Sequence, residues 1–228
     1  MCATSQYSKV FASDPDFHPE ETTVHFRLTY EGELLPSTKS NPRASHKQSI
    51  RKKLHGQIKR LWELYPNLQA MTHPLPDGFV SVNAPKPTNM IEYLASNRPL
   101  GDYRFVPLMT EELNLWCGLD ILFLRPTPPG GVLQSGDIDN RVKTLFDALK
   151  RPTQLQEVGE YRSPSPDEQP FFFCLLDNDS LVAKLTVETD TLLEPLGGGI
   201  PCDTDARLVI GVTLRPQTVT VGNLGFAG

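Results

Sequence analysis

Acidic side chains that could hold a metal ion lie at the start of an amphipathic segment in the second half of the chain. Asp137 and Asp139 are two residues apart, so their side chains point the same way in an extended approach to a helix. If a helix begins there, Lys143 follows Asp139 by one turn and Asp147 follows by a further turn. The segment therefore combines carboxylates that could bind a metal ion with a cation that could stabilise negative charge.

A second acidic group, Asp177-Asn178-Asp179, separates two apolar segments that have the character of strands. If these strands pack beside the helix, one of the two aspartates could join Asp137 and Asp139. Three carboxylates with few cations between them repel one another unless a divalent ion lies among them, and oxygen-only ligands select Mg²⁺ or Mn²⁺. Such an ion polarises a phosphoryl oxygen and generates hydroxide from water, while Lys143 could stabilise the developing charge.

Each acidic group also has an ordinary structural explanation. Asp-x-Asp-Asn before an amphipathic helix is often a turn followed by an N-cap, and Asp-Asn-Asp between two strands is a common hairpin turn. Taken separately, each group is more typical of structure than of catalysis. Only their combination with Lys143 favours a catalytic site.

The pattern D-x-D-N-x-x-K-x-x-x-D-A-L at residues 137–149 resembles the signature of the RusA-type Holliday junction resolvases. Residues 178–182 resemble that family's second motif, with Asn178 where the family usually has an aspartate. The resemblance implies that Asp137, Asp139 and Asp179 bind a catalytic Mg²⁺ (or Mn²⁺), and that Lys143 assists phosphodiester cleavage. It also implies a homodimer that nicks four-way or other branched DNA. The alternative is a RusA-fold nucleic-acid-binding protein whose nuclease activity is weak or lost.

The charge of the chain is strongly segregated. Among 228 residues, 22 Lys+Arg and 27 Asp+Glu give a formal charge of −5, which by itself disfavours binding to nucleic acid. Residues 39–60, however, hold eight basic and no acidic residues, which leaves −13 on the rest of the chain. Such segregation favours a surface for a polyanion, whereas a solvated helix face and a membrane-surface helix are the alternatives. The DNA-binding residues that we predict in this segment are Arg43, Lys47, Arg51, Lys52 and Lys59.

Hydrophobic periodicity predicts the elements that would position these residues. Apolar side chains at 50, 54, 58 and 61 form one stripe of a helix, and the apolar run before residue 125 indicates a central strand covered on both faces. The predicted strands are 24–30, 113–124, 171–176, 181–188 and 207–214, and the predicted helices are 45–64 and 139–150. Within the Pro-rich segment that follows the first helix, a short helix around 88–95 is an alternative to a loop. This order predicts an α+β fold, a mixed β-sheet packed with two main helices as the RusA resemblance implies.

The same reading gives a domain organisation and a compartment. We expect a flexible N-terminal arm over 1–22, one domain over 23–215 and a C-terminal tail over 216–228. Two insertions would interrupt the domain: a Pro-rich segment with little regular structure at about 66–110, and an exposed segment at 151–170. No segment has the apolar length of a membrane span or the pattern of a signal peptide, and widely separated cysteines suit a reducing cytoplasm.

Overall fold

The α+β fold predicted from the sequence is confirmed by a computed structural model, in which a four-stranded and a three-stranded sheet pack with helices. The structure describes residues 24–38, 42–75, 87–126, 137–200, 202–220, 223 and 226. The strands are β1 (Val24–Glu33), β2 (Pro99–Leu100), β3 (Tyr103–Met109), β4 (Leu115–Arg125), β5 (Phe172–Leu176), β6 (Val182–Thr191) and β7 (Asp205–Pro216). The helices are α1 (Ala44–Leu64), α2 (Pro66–Ala70), α3 (Met90–Ser96) and α4 (Asp137–Leu149).

The larger sheet has the strand order β1-β7-β4-β6 and is mixed. β7 pairs antiparallel with β1 and β4, whereas β6 runs parallel to β4. Side chains alternate across this sheet, so that Leu208, Ile210 and Val212 of β7 are buried. β4 is central as predicted, but the prediction that both its faces are covered is wrong. Asp120 is exposed and Trp116 is half-buried on the outer face, because no layer of helices lies over that face in the described part of the chain.

The smaller sheet has the order β2-β3-β5, and its longest strand lies in the Pro-rich segment. Our prediction of little regular structure over 66–110 is therefore wrong. Pro66 opens α2 and Pro99 opens β2, which are positions where the missing N–H of proline costs little. Phe105 in β3 is fully buried and pairs with Phe172 of β5, which runs parallel to β3.

Helix α1 lies against both sheets and carries much of the core. Ile50, Leu54, Ile58 and Trp62 are buried, which confirms the predicted apolar stripe. These side chains belong to one cluster that also contains residues of α4 and of both sheets. Each aliphatic side chain buried in this way contributes about 1.5–3 kcal/mol relative to an exposed one. The position of α4 is therefore fixed by the same core that fixes α1.

The segment 151–170 is exposed at many positions, as predicted, but it also folds against α1. Two 3-10 turns, Leu155–Val158 and Pro166–Glu168, place Val158 and Glu168 in buried positions. Gly159 has φ of +60°, and a Cβ there would lie 2.2 Å from Oγ of Ser45. The backbone of this segment thus approaches the first turn of α1 so closely that only glycine fits.

Of the two segments predicted at the ends of the chain, the C-terminal tail contains described residues. The N-terminal arm, 1–22, lies outside the described residues. Within the predicted tail, Phe226 is buried in the core, and Nδ2 of Asn223 donates to the carbonyl oxygen of Leu113 at 2.9 Å. The tail is therefore anchored at these two residues. No helix in the described ranges has the length and apolar character needed to cross a membrane.

Candidate functional site

Helix α4, which carries the first acidic motif, is held along its whole length. Near its start, a guanidinium nitrogen of Arg141 donates to the carbonyl oxygen of Asp203 at 2.9 Å, and Oγ1 of Thr144 donates to that of Leu35 at 2.8 Å. Leu145 and Leu149 are buried in the core. Such a rigid support is what a site needs if its side chains are to keep a fixed geometry.

The first motif occupies the N-terminal turns of α4. Asp139 and Lys143 are both exposed and lie one turn apart on the same side of the helix. Asp137 is the first residue of α4, but its side chain lies outside the described part of the chain. The described residues of the motif thus present one carboxylate and one ammonium group to solvent.

Asp147, the last charged position of the first motif, has a structural partner. Its Oδ2 atom lies 2.6 Å from Nζ of Lys47, and the side chains are 29% and 12% exposed. This ion pair joins α4 to α1. Asp147 therefore helps to dock the two helices against each other.

The second motif forms a short turn between β5 and β6. Asn178 caps a 3-10 turn, Asp179–Leu181, since its Oδ1 atom accepts a hydrogen bond from the N–H of Ser180 at 3.3 Å. Asp179 is 58% exposed, and its Oδ2 atom lies 3.4 Å from Nζ of Lys150. Lys150 directly follows α4, so this ion pair connects the second motif to the helix that bears the first.

The structure places the two motifs at different positions along α4. Asp139 lies in the first turn, and at 1.5 Å per residue it is about 16 Å along the axis from Lys150, the partner of Asp179. Among the described side chains, no group of three or more His, Cys, Asp or Glu residues could hold a metal ion. The structure thus ties Asp179 to Lys150 at the C-terminal end of α4, and none of the ion pairs or hydrogen bonds of the described residues joins it to Asp139.

Asp177, the other aspartate of the second motif, is committed to two arginines. Its Oδ2 atom accepts from Nε and Nη2 of Arg98 at 2.9 Å and 2.7 Å, and its Oδ1 atom accepts from Nε of Arg151. Arg98 also binds Glu112 at 2.7 Å. Burial raises the pKa of Asp177, but the hydrogen bonds and charges of both arginines lower it by more than burial raises it. The pKa of Asp177 therefore lies below its ordinary value. Asp177 is therefore an ionised structural anchor for the turn that carries Asp179.

Arg51, which we predicted to bind DNA, is buried and hydrogen-bonded within the protein, so it cannot contact DNA from an exposed helix face. Its side chain is 2% exposed, and its guanidinium donates to the carbonyl oxygens of Lys150 at 2.9 Å and of Asp147 at 2.6 Å. It also donates to Oε1 of Gln48. Together with the buried His55, these residues form a second, polar stripe of α1 that packs against its surroundings. Because α1 is packed along both its apolar and its polar stripe, fewer of its basic side chains can face a phosphate than the sequence suggests.

The other predicted DNA-binding residues of α1 also have partners within the protein. Nζ of Lys52 lies 2.9 Å from Oε1 of Glu168, and Nζ of Lys59 donates to the carbonyl oxygen of Asp167 at 3.1 Å. Lys47 pairs with Asp147, and Nε of Arg43 donates weakly to Pro36 at 3.5 Å. Phosphate contacts by Arg43, Lys47, Lys52 and Lys59 stay predictions, and any such contact competes with these bonds.

Sequence reasoning missed the arginines that position the second motif. Arg98 lies 79 residues before Asp177, and nothing in the spacing of either residue signals their contact. The chain matches no protein-family model, no curated protein and no solved structure in the comparisons made with each. Any functional assignment therefore depends on the chemistry and geometry of the residues described above.

Proposed function

We propose that the chain is a Mg²⁺-dependent endonuclease of the RusA type that hydrolyses phosphodiesters in four-way or other branched DNA. The observation that carries this proposal is the ion pair between Lys150 and Asp179, which ties the second acidic motif to the helix of the first. Asp139, Lys143 and Asp179 are all exposed, so a large substrate can reach each of them. A deep pocket is not required, because the reacting group lies on the outside of DNA.

Mg²⁺ or Mn²⁺ suits the donors that the motifs offer. Asp139 and Asp179 supply carboxylate oxygens, and neither is held by an arginine within the described residues, in contrast to Asp177. A bound ion would polarise a phosphoryl oxygen and lower the pKa of a water molecule. Lys143, one turn from Asp139, would then neutralise charge that develops on the phosphate.

Assembly of one site from both motifs requires Asp179 to leave Lys150. An exposed ion pair contributes about 0–1 kcal/mol, so a divalent ion and a phosphate can readily displace it. Lys150 would be released at the same time and could pair with the DNA backbone. We therefore interpret the Lys150–Asp179 pair as the resting arrangement of the site.

The second candidate is a nucleic-acid-binding protein of the same fold without nuclease activity. The observation that favours it is the separation of about 16 Å along the axis of α4 between Asp139 and Lys150, the partner of Asp179. Asn178, which caps its own turn, would then mark the loss of a ligand. This candidate predicts binding to branched DNA with no cleavage.

Cleavage of a synthetic four-way junction separates the two candidates. We expect nicking in Mg²⁺ or Mn²⁺, and we expect Asp139→Asn to reduce the rate by at least about 100-fold while binding in Ca²⁺ is kept. Asp120→Asn is the matched control, since Asp120 is an exposed carboxylate on the outer face of the larger sheet. Intact binding without any cleavage by the unmutated protein would establish the binding protein instead.

We also propose a homodimer. β6 is an edge strand of ten residues whose outer side has no partner strand in the described part of the chain, and Leu185 within it is 47% exposed. A long unprotected edge with an exposed leucine is suited to pairing with a second copy of the chain. The particle mass in solution should equal two chains; a mass of one chain at micromolar concentration would contradict the proposal.

A further inference from the structure

A cleft of about 340 Å³ lies between the start of α1, the end of α4 and the segment 151–170. Lys47, Arg51 and Lys150 line it, together with the carboxylates of Asp147 and Glu157. Its volume is at the lower end of the range for ligand sites and exceeds the space of a bare inorganic ion. The cleft therefore has room for an anionic group that is attached to a larger molecule.

Of the three cations of this cleft, Lys47 pairs closely with Asp147, whereas Arg51 and Lys150 are poorly compensated. Arg51 is almost fully buried, yet the acceptors that it binds are neutral: two carbonyl oxygens and one amide oxygen. Burial lowers the pKa of Arg51 to about 10, although the nearby carboxylates of Glu157 and Asp147 act to raise it. Lys150, 26% exposed, has one long pair of 3.4 Å with Asp179 among the residues that the structure describes. With three cations and two carboxylates, the lining carries one net positive charge.

The N-terminus of α1 adds to the positive potential at the same place. Ala44, the first residue of the helix, lines the cleft, and no acidic residue lies in the first turn. Arg43 precedes it without a side-chain cap. The first amide groups of a 21-residue helix and its macrodipole thus act on the same side as Lys47 and Arg51.

We propose that this cleft binds one phosphodiester of the DNA backbone, next to the position where Asp179 acts. A phosphodiester carries a single negative charge, which equals the net positive charge of the lining, and its two substituents explain why the cleft is larger than an ion. Lys150 connects the cleft to the second motif, because it lines the one and pairs with the other. That the ligand is DNA rests on the proposed function. That the cleft binds an anion rests on the residues that line it.

The inference is tested by fluorescence anisotropy of a labelled four-way junction in EDTA, where cleavage cannot occur. Lys47→Gln should weaken binding about tenfold at low salt and reduce the slope of log K against log salt concentration by about 1, the effect of one lost phosphate contact. Glu157→Gln should instead tighten binding about threefold, since it removes a negative charge from the cleft. Arg207→Gln, a partly exposed arginine of β7 that pairs with Glu31 outside the cleft, should change neither quantity.

The gain of affinity in Glu157→Gln keeps the test decisive if Lys47→Gln destabilises the fold. An affinity and a salt slope unchanged in both variants would overturn the inference.

A second experiment identifies the source of the anion: it compares the temperature of thermal unfolding in inorganic phosphate with that in chloride at equal ionic strength. Stabilisation by phosphate that does not compete with DNA would overturn the backbone assignment in favour of a free phosphate compound. Asp139→Asn separates this inference from the nuclease proposal, because it should lose cleavage and keep the wild-type salt slope.

Discussion

Replacement of Asp177 by alanine should destabilise the fold through the arginines that it leaves behind. Asp177 accepts hydrogen bonds from Arg98 and Arg151, and Arg98 is 5% exposed. Loss of one partner from a buried ion pair costs about 3–5 kcal/mol. Because Arg98 keeps Glu112, we expect Asp177→Ala to lie at the lower end, at about 3 kcal/mol. For a chain of this size, that corresponds to a fall in Tm of about 6–12 °C.

Urea unfolding measures this change without the screening that an ionic denaturant would add. The matched control is Glu112→Gln, which touches the same arginine from a side chain that is 30% exposed, and for which we expect about 1 kcal/mol or less. A loss below about 1 kcal/mol in Asp177→Ala would refute the reasoning. It would mean that solvent or the remaining carboxylate compensates Arg98 fully.

The pH dependence of the same variant gives a second, independent check. The pKa of Asp177 in the folded protein lies below the ordinary value of 3.8. A carboxyl group with a lowered pKa contributes stability that is complete above the ordinary value and is lost as pH falls through the lowered one. The difference in unfolding free energy between wild type and Asp177→Ala should therefore be constant from about pH 7 to pH 5 and shrink below about pH 4.

Two further perturbations test the packing around α1. Gly159→Ala should reduce the free energy of unfolding in urea by about 2–3 kcal/mol, because its Cβ would lie 2.6 Å from the backbone nitrogen of Ser45 at a φ of +60°. Gly197→Ala is the control, since Gly197 has a φ of +66° but open space around it, and this variant should show the conformational cost alone. Equal losses in both variants would exclude the close approach at Gly159. Nδ1 of His55 accepts a hydrogen bond from the N–H of Phe173 at 2.8 Å, and burial lowers the pKa of this histidine below 6.5. Its stabilising contribution is present above 6.5 and lost as pH falls through the lowered pKa, so unfolding free energy should decline from pH 7 to pH 5, and less steeply in His55→Gln; identical pH profiles would contradict this assignment.

The elements predicted best from the sequence are those with one buried face and an uninterrupted pattern. α1, β1 and β7 each repeat apolar residues at the period of their structure, so their positions follow from hydrophobic burial alone. β3 was missed because Pro107 lies within it, and a proline normally argues against a strand. In the structure Pro107 is accommodated in a register with Cys174 of β5, a pairing across 67 residues that no local pattern signals.

The residues of the candidate site likewise fall into those whose relation is local in the sequence and those whose partners are distant. Asp139 and Lys143 lie one turn apart on a helix, as predicted, because their relation is local and follows from the helical repeat. The roles of Asp147 and Asp177 depend on residues that are far away in the chain, Lys47 and Arg98. Periodicity cannot supply such contacts, so a carboxylate that anchors the fold and one that faces solvent look alike in the sequence.

The basic segment shows most clearly why charge along a chain differs from charge on a surface. Eight cations and no carboxylate over 39–60 suggest a helix face that binds phosphate, yet the fold brings Glu168, Asp147 and the carbonyl oxygen of Asp167 onto those cations. What survives this neutralisation is local: the buried guanidinium of Arg51 and the loosely held Lys150, which share one cleft at the end of α4. A DNA contact by this protein is therefore better sought in that cleft than along the exposed side of α1, and the tighter binding expected of Glu157→Gln decides between them, because Glu157 lines the cleft and does not belong to α1.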